Sequence, residues 1–187
     1  MARLPRLVLP GIPHHVTQRG NRRERTFFED GDYALYLDLL ADGAQRAGVA
    51  IWSYCLMPNH VHIVAVPSDE DGLRRAFRYV HRHYTGYINA RLRVTGHLWQ
   101  GRFSSVAMDE AHFVTALRYV ALNPVRARLV ARAEDWGVPR QHQWHNSQRR
   151  LAEFGLVIRS WALRTILILS SAKKWRRVWH RISFTTS

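Results

Sequence analysis

The sequence predicts an α/β fold of two layers, in which helices cover an antiparallel or mixed sheet. Short β-rich runs alternate along the chain with longer runs whose apolar residues recur at helical spacing. No internal repeat is visible, and 187 residues with 47% hydrophobic content are enough to bury one core. A disordered or fibrous chain is therefore excluded.

The first part of the chain predicts one strand and one helix. Weak alternation over 14–19, ended by a Gly-Asn turn signal, indicates the strand. Helical spacing of apolar residues over 33–47 indicates the helix, with Asp30 or Asp32 as its N-cap and Gly48 as its end.

A β-hairpin and a second helix are predicted next. The β-rich runs over 49–56 and 60–66 are the hairpin strands, because Pro58 between them cannot lie inside a central strand. Helical spacing then resumes near Ser68 and continues to a Thr-Gly pair, with one apolar face and one basic face.

A fourth strand over 103–108 and a third helix complete the predicted order. Asp109 is the expected N-cap of this helix. Asn123-Pro124 is its expected end, because the residue before a proline is disfavoured in the α region. The order βαββαβα predicts a ferredoxin-like or RRM-like topology, with the helices on one face of the sheet.

The charge distribution favours a polyanionic partner. The chain has 28 Lys and Arg residues against 14 Asp and Glu residues, a net charge of +14. Residues 1–136 carry 18 basic and 13 acidic residues, whereas 137–187 carry 10 and 1. Such a basic balance is typical of nucleic-acid binding.

The expected compartment is the cytoplasm, where the protein would be soluble, associated with the nucleoid and without membrane contact. No apolar segment is long enough to indicate a signal peptide or a membrane span. The single cysteine, Cys55, can form no internal disulfide, and we predict that it is a buried core residue.

Two histidines in the predicted hairpin could share one metal ion. His60 and His62 are separated by one residue, so alternation along a strand places both imidazoles on the same face. Two histidines do not complete a metal site, and a third donor would have to come from elsewhere in the fold. The alternative is a pair of strand histidines that bond to neighbours; His14 and His15 are also predicted to be structural.

A tyrosine and an asparagine on the third helix form a second candidate pair. Tyr119 and Asn123 are four residues apart and therefore lie on one helix face. Tyrosine can act as a covalent nucleophile towards a phosphate that a divalent cation polarises, and Asn123 could donate an oxygen ligand. Alternatively, Tyr119 packs on the sheet and Asn123 caps the helix.

Three groups of residues are candidates for nucleic-acid contact, because guanidinium groups bind phosphates and aromatic rings stack on unpaired bases. They are Arg74, Arg78 and Arg82 on the second helix; Arg19, Arg22 and Arg23 at the turn after the first strand; and Trp99, Gln100 and Arg102 in a later loop. The alternatives are a solvated arginine surface and, for Trp99, a place in the core.

Four segments in this order resemble the REP-associated tyrosine transposases, a branch of the HUH superfamily of single-strand DNA transposases. The resemblance covers roughly residues 4–136 and is far more specific than a His-x-His pair. The segments are GIPHHVTQRG at 11–20, YCLMPNHVH at 54–62, LWQGRF at 98–103 and LRYVALNPVRA at 117–127.

The resemblance implies roles for the candidate residues. His60, His62 and Asn123 match the ligands of Mg²⁺ or Mn²⁺, and Tyr119 matches the catalytic tyrosine. The implied enzyme cleaves and rejoins single-stranded hairpin DNA through a 5′-phosphotyrosine intermediate, as a monomer or a homodimer. We therefore expect a catalytic domain at 1–136.

Residues 137–187 depart from the family pattern and form a basic tail. The pattern and the acidic residues are lost together after Trp136. We interpret this tail as a frameshifted or replaced C-terminus; the alternative is a genuine basic arm that adds phosphate contacts. Reading the other frames of the genomic sequence would distinguish the two.

Three other functions fit parts of the sequence. A non-catalytic nucleic-acid-binding module would need only the charge and the aromatic residues. A metal-dependent phosphodiesterase that uses water could contain the His-x-His pair, although no carboxylate-rich ligand set accompanies it. An inactive transposase remnant would also retain the four segments.

Overall fold

A computed structural model describes residues 6–136 and confirms the predicted order of elements. Two 3-10 turns, at Asn21–Arg23 and Ala133–Asp135, accompany the strands and helices. The elements are β1 (His14–Arg19), α1 (Asp30–Ala47), β2 (Val49–Met57), β3 (His60–Pro67), α2 (Gly72–Leu92), β4 (Ser104–Ala107) and α3 (Glu110–Arg126).

The four strands form one sheet in the order β2-β3-β1-β4, and every pair of neighbours is antiparallel. This is the ferredoxin-like arrangement expected from the order of elements. The register places Thr17 of β1 and Cys55 of β2 on either side of His62 in β3. The predicted fold class is confirmed.

The placement of the helices needs one correction. Val61 and Ile63 of β3 belong to the main core with α1 and α2, whereas Val64 packs with Phe113 and Leu117 of α3. Successive strand residues point to opposite faces, so α3 covers the other side of the sheet. The order of elements alone does not determine which face of the sheet α3 covers. The packing of its apolar residues against Val64 determines it.

The N-terminus of α1 is capped by Glu29, not by Asp30 or Asp32 as predicted. Asp32 is instead the other half of a capping box and is fully buried. Its Oδ2 accepts hydrogen bonds from the backbone N–H groups of Phe28 and Glu29, at 2.7 and 3.1 Å. The predicted end at Gly48 is confirmed by its left-handed conformation.

The third helix begins as predicted and ends later than predicted. Asp109 accepts a hydrogen bond from the backbone N–H of His112, which confirms the N-cap. The helix then continues through Pro124 to Arg126 instead of ending at Asn123. Proline lacks one backbone donor, but so close to the C-terminus of the helix this costs a single hydrogen bond.

The basic tail predicted at 137–187 lies outside the described residues. Between residues 6 and 136, no helix is both long enough and apolar enough to cross a membrane. Cys55 is buried, as predicted, and burial raises the pKa of its thiol.

Candidate active site

The His-x-His pair lies on the sheet face that α3 partly covers. His60 is half-buried, His62 is buried, and their ring centroids are 4.9 Å apart. Both side chains are on the same side of β3 as Val64, which contacts α3. The strand alternation predicted from the sequence therefore brings the two imidazoles together.

A third histidine, His15 of β1, orients His62. The His15 Nε2 and the His62 Nδ1 are 3.0 Å apart, and the two rings stack with centroids 5.2 Å apart. The His62 Nε2 is buried and has no hydrogen-bond partner within residues 6–136. This role of His15 was not predicted from the sequence, although its strand parity in a ferredoxin-like sheet places it on the same face as His62.

His60 also has an outer hydrogen-bond partner. The His60 Nδ1 lies 2.6 Å from the Asn59 Oδ1. Since an outer hydrogen bond occupies Nδ1 on both His60 and His62, the nitrogen left for a ligand is Nε2 in each ring. Histidines that bind metals are held in this way.

Burial keeps both imidazoles neutral at physiological pH. Desolvation, with a smaller contribution from Arg19, lowers the pKa of His60 to about 4. Desolvation, followed by His60, His15 and Arg19, lowers the pKa of His62 to about 3. The neutral imidazole is the form that binds a metal ion.

Tyr119 of α3 stands beside this pair and is open to solvent. Its ring centroid is 5.3 Å from that of His62 in an edge-on arrangement, and 39% of the residue is exposed. The Arg126 Cζ lies 5.3 Å from the Tyr119 ring centroid. The tyrosine is therefore accessible to a macromolecular substrate and is not packed away on the sheet.

Asn123 follows Tyr119 by one helical turn and is buried, with 7% of its surface exposed. Its Nδ2 has no hydrogen-bond partner within residues 6–136, and Ala127, not Asn123, is the C-cap of α3. A buried amide normally finds a partner. Rotation of the amide by 180° would present its oxygen at the same place.

His60, His62 and Asn123 offer the types of donor atom that bind a divalent metal ion. Within the described residues, no three His, Cys, Asp or Glu side chains are arranged to hold a metal ion, so a third ligand must be of another type. The donor atoms would be the unpartnered Nε2 of His62, the Nε2 of His60 and, after rotation of the amide, the oxygen of Asn123. A mixed nitrogen and oxygen donor set suits Mn²⁺ and, with added water, Mg²⁺.

Most of the predicted nucleic-acid contacts lie together at one end of the sheet. Arg19 is exposed and pairs in register with His60. The backbone N–H of Gln100 donates to the carbonyl of Arg19 at 2.9 Å, so the later loop runs beside the end of β1. Arg22 and Arg23 in the adjoining turn are exposed, as is Arg102 in the loop.

One predicted contact residue belongs to the core. Trp99 is 7% exposed and packs against Tyr36, His81 and Tyr84. The expectation that it faces nucleic acid is wrong, because its ring closes the core beneath the loop. Its neighbours in sequence, Gln100 and Arg102, are exposed.

The arginine stripe of α2 is separated from the His-x-His pair. Arg74, Arg78 and Arg82 are exposed on the outer side of a helix that packs against the opposite face of the sheet. Arg74 forms two hydrogen bonds with Asp71, at 2.8 and 3.0 Å. The structure therefore does not bring this stripe to the site.

Residues 10–123, more than half of the chain, match the family model of IS200-like transposases. The chain belongs to the IS200-like transposase family. The matched range includes β1, β3 and α3 as far as Asn123, which are the elements that carry the site. The transposase function expected from the resemblance is confirmed at this level.

Two solved structures match this transposase, and the first is similar to it in overall fold. One is a REP-associated tyrosine transposase bound to a REP hairpin, with a TM-score of 0.61, 21% identity, and coverage of 73% of this chain and 80% of that chain. The other is a candidate transposase from Deinococcus radiodurans R1, with a TM-score of 0.45, 17% identity, and coverage of 64% and 95%. No curated protein matches.

Proposed function

We propose that this transposase cleaves and rejoins single-stranded hairpin DNA through a 5′-phosphotyrosine on Tyr119, as a REP-associated tyrosine transposase would. The observation that carries the proposal is the position of Tyr119, exposed and 5.3 Å from the ring of His62. Two neighbouring side chains, His62 and Asn123, each have a buried polar atom without a partner in the described chain. That combination suits a covalent nucleophile next to a metal site.

The metal site would be built from His60, His62 and Asn123. A bound Mg²⁺ or Mn²⁺ would supply polarisation of the scissile phosphate and would offset its negative charge. The protein keeps both imidazoles neutral by burial and directs their Nε2 atoms away from their outer partners. His60, His62 and Asn123 all belong to one chain, so the proposed ligand set can be assembled within a single copy.

The covalent step exchanges one phosphodiester bond for another. The Tyr119 Oη attacks the phosphorus, the bond from phosphorus to the 3′ oxygen breaks, and the phenol proton is transferred to that oxygen. The products are a 5′-phosphotyrosine and a free 3′-hydroxyl. A later attack by a 3′-hydroxyl breaks the bond to Tyr119 and rejoins the strand, so nucleotide hydrolysis is not needed.

Arg126 supports this step electrostatically. Its guanidinium carbon is 5.3 Å from the Tyr119 ring centroid. A positive charge there offsets the negative charge that develops on the phenol oxygen and on the phosphate during attack. The same group can bind a phosphate oxygen of the DNA.

The DNA would lie along the end of the sheet next to His60. Arg19, Arg22 and Arg23 are exposed there, beside Gln100 and Arg102 of the neighbouring loop. The solved relative of similar fold is bound to a REP hairpin, which supports a hairpin substrate. We assign phosphate contacts to these arginines and only a secondary, sequence-independent contact to the α2 stripe.

The proposal is tested by adduct formation on a denaturing gel. The full chain would be incubated with Mn²⁺ and single-stranded hairpin DNA taken from beside its own gene. Tyr119→Phe should abolish the adduct while retaining DNA binding, whereas Tyr87→Phe should leave it unchanged, because Tyr87 is equally exposed, at 42%, but lies on α2. Turnover without an adduct would indicate a hydrolase that uses water; tight binding without any cleavage would indicate a binding module or an inactive remnant.

A further inference from the structure

The turn after β1 has an unusual backbone. Arg22 and Arg23 are consecutive residues with positive φ angles of 51° and 63°. This left-handed conformation is uncommon for residues with side chains and costs free energy that other contacts must offset. The contacts that hold the turn in this conformation therefore indicate which part of the candidate site it supports.

The turn is held by the loop that precedes the His-x-His pair. The backbone N–H of Gly20 donates to the Asn59 carbonyl at 2.8 Å, and the N–H of Thr26 donates to the Pro58 carbonyl at 2.8 Å. The Asn59 Nδ2 donates to the Arg23 carbonyl at 2.9 Å. Asn59 is thus bonded to the turn through its backbone and through its side chain.

The same side chain bonds to His60. The carbonyl of Arg23 can only accept a hydrogen bond, so the Asn59 atom that faces it must be the NH₂ group. The Asn59 Oδ1 must then face the His60 Nδ1, which lies 2.6 Å away. Because an amide oxygen only accepts, Nδ1 carries the proton and Nε2 has the free lone pair.

We infer that Asn59 is a positioning residue that joins the turn containing Arg22 and Arg23 to His60. The Arg23 carbonyl orients the Asn59 amide, and the amide fixes the tautomer of His60 that presents Nε2. The inference rests on the proposed function for its purpose: the turn that carries Arg22 and Arg23 to DNA also prepares a metal ligand. Nothing in the four motif segments assigns Asn59 this role.

The test is the tautomer of His60 in the protein without metal or DNA. Long-range ¹H–¹⁵N correlation spectra of the full chain, labelled with ¹⁵N-histidine, distinguish protonated Nδ1 from protonated Nε2, and His60→Gln assigns the signal. We expect the Nδ1–H tautomer in the wild type. Asn59→Ala should yield a mixture of tautomers, whereas Asn21→Ala, which removes an amide from the same turn, should not.

A second pair of variants tests the link from the turn to the ligand. Arg23→Gly permits the left-handed backbone and removes only the side chain, so His60 should keep its tautomer. Arg23→Pro forces φ to a negative value and displaces the carbonyl, so the tautomer should be lost as in Asn59→Ala. This pair remains informative if Asn59→Ala does not fold, and circular dichroism checks the fold of each variant.

Metal binding gives an independent readout. Mn²⁺ titration should show affinity about 10- to 100-fold weaker for Asn59→Ala and Arg23→Pro than for the wild type, as for other outer partners of metal-bound histidines. A single Nδ1–H tautomer in Asn59→Ala, or equal behaviour of Arg23→Pro and Arg23→Gly, would overturn the inference. Because the tautomer is read without DNA, this outcome is separate from any failure of adduct formation.

Discussion

Without metal, Asn123→Leu should be more stable than the wild type. With Mn²⁺ bound, it should be less stable than the wild type. The two side chains have the same branched shape and number of heavy atoms, and the Asn123 amide is buried with an Nδ2 that has no partner within residues 6–136. A buried, unsatisfied polar group costs about 1–3 kcal/mol, which an apolar side chain would recover. We expect a net gain of about 1 kcal/mol in the free energy of unfolding, or about 4 °C in Tm.

Mn²⁺ should reverse the order of stability of the wild type and Asn123→Leu. At a Mn²⁺ concentration about 100 times the Kd, binding stabilises the wild type by about 2.7 kcal/mol. If the loss of the amide weakens binding by about 10- to 100-fold, the same concentration stabilises Asn123→Leu by only about 0.4–1.4 kcal/mol. The assay is thermal unfolding by circular dichroism in EDTA and in Mn²⁺.

Gln18→Leu provides a matched control. Gln18 is also a buried amide, with 4% exposed, but its Nε2 donates to the Gly101 carbonyl at 2.9 Å. The same exchange of amide for alkyl should therefore destabilise the protein by about 1 kcal/mol and leave the shift caused by Mn²⁺ intact. If Asn123→Leu lowers Tm in EDTA and keeps the full Mn²⁺ shift, the assignment of Asn123 as a ligand is wrong.

Three further predictions concern the outer partner of His62, the N-terminal cap of α1 and His81, a half-buried histidine of α2. His15→Phe should keep the ring stacking but weaken Mn²⁺ binding by about 10- to 100-fold, measured by titration, because the hydrogen bond to His62 is lost; unchanged affinity would exclude the role given to His15. Asp32→Ala should lower the free energy of unfolding, measured in urea, by about 3 kcal/mol. The substitution removes two hydrogen bonds that cap α1 and leaves Arg91, 2.8 Å from the Asp32 Oδ2, without its buried partner. A loss below about 1 kcal/mol would contradict this. Burial lowers the pKa of His81 to about 3, so the unfolded chain binds an extra proton below its ordinary pKa of 6.5, and stability should fall as the pH drops from 6.5 towards 3. In His81→Phe this fall should be shallower by about 1 kcal/mol per pH unit in urea titrations, and an identical slope would count against the neutral state of His81.

The sequence was sufficient to predict the sheet and the mutual placement of four candidate site residues, because their signals are local. The strand β1 was predicted with the bounds that the structure shows, His14–Arg19, because alternation and a turn signal coincide there. The placement of His60 with His62 followed from alternation. Tyr119 and Asn123 were placed on one face by helical spacing.

The rest depended on contacts between distant segments. His15 bonds to His62 across 47 positions of sequence, and only the pairing of β1 with β3 reveals it. Trp99 could be a surface or a core residue until Tyr36 and Tyr84 were seen around it. The side of the sheet that α3 covers is likewise set by packing and not by the order of elements.

The most direct test of the proposed chemistry is the polarity of the covalent bond. Hairpin DNA with different labels at its 5′ and 3′ ends would be incubated with the full chain and Mn²⁺, and the protein-bound and free fragments separated. The proposed reaction predicts that the protein carries the 3′-labelled fragment, attached to a peptide that contains Tyr119, and that the free fragment ends in a 3′-hydroxyl that a polymerase can extend. Attachment of the 5′-labelled fragment, or cleavage that leaves both fragments free in the wild type, would contradict a 5′-phosphotyrosine intermediate on Tyr119.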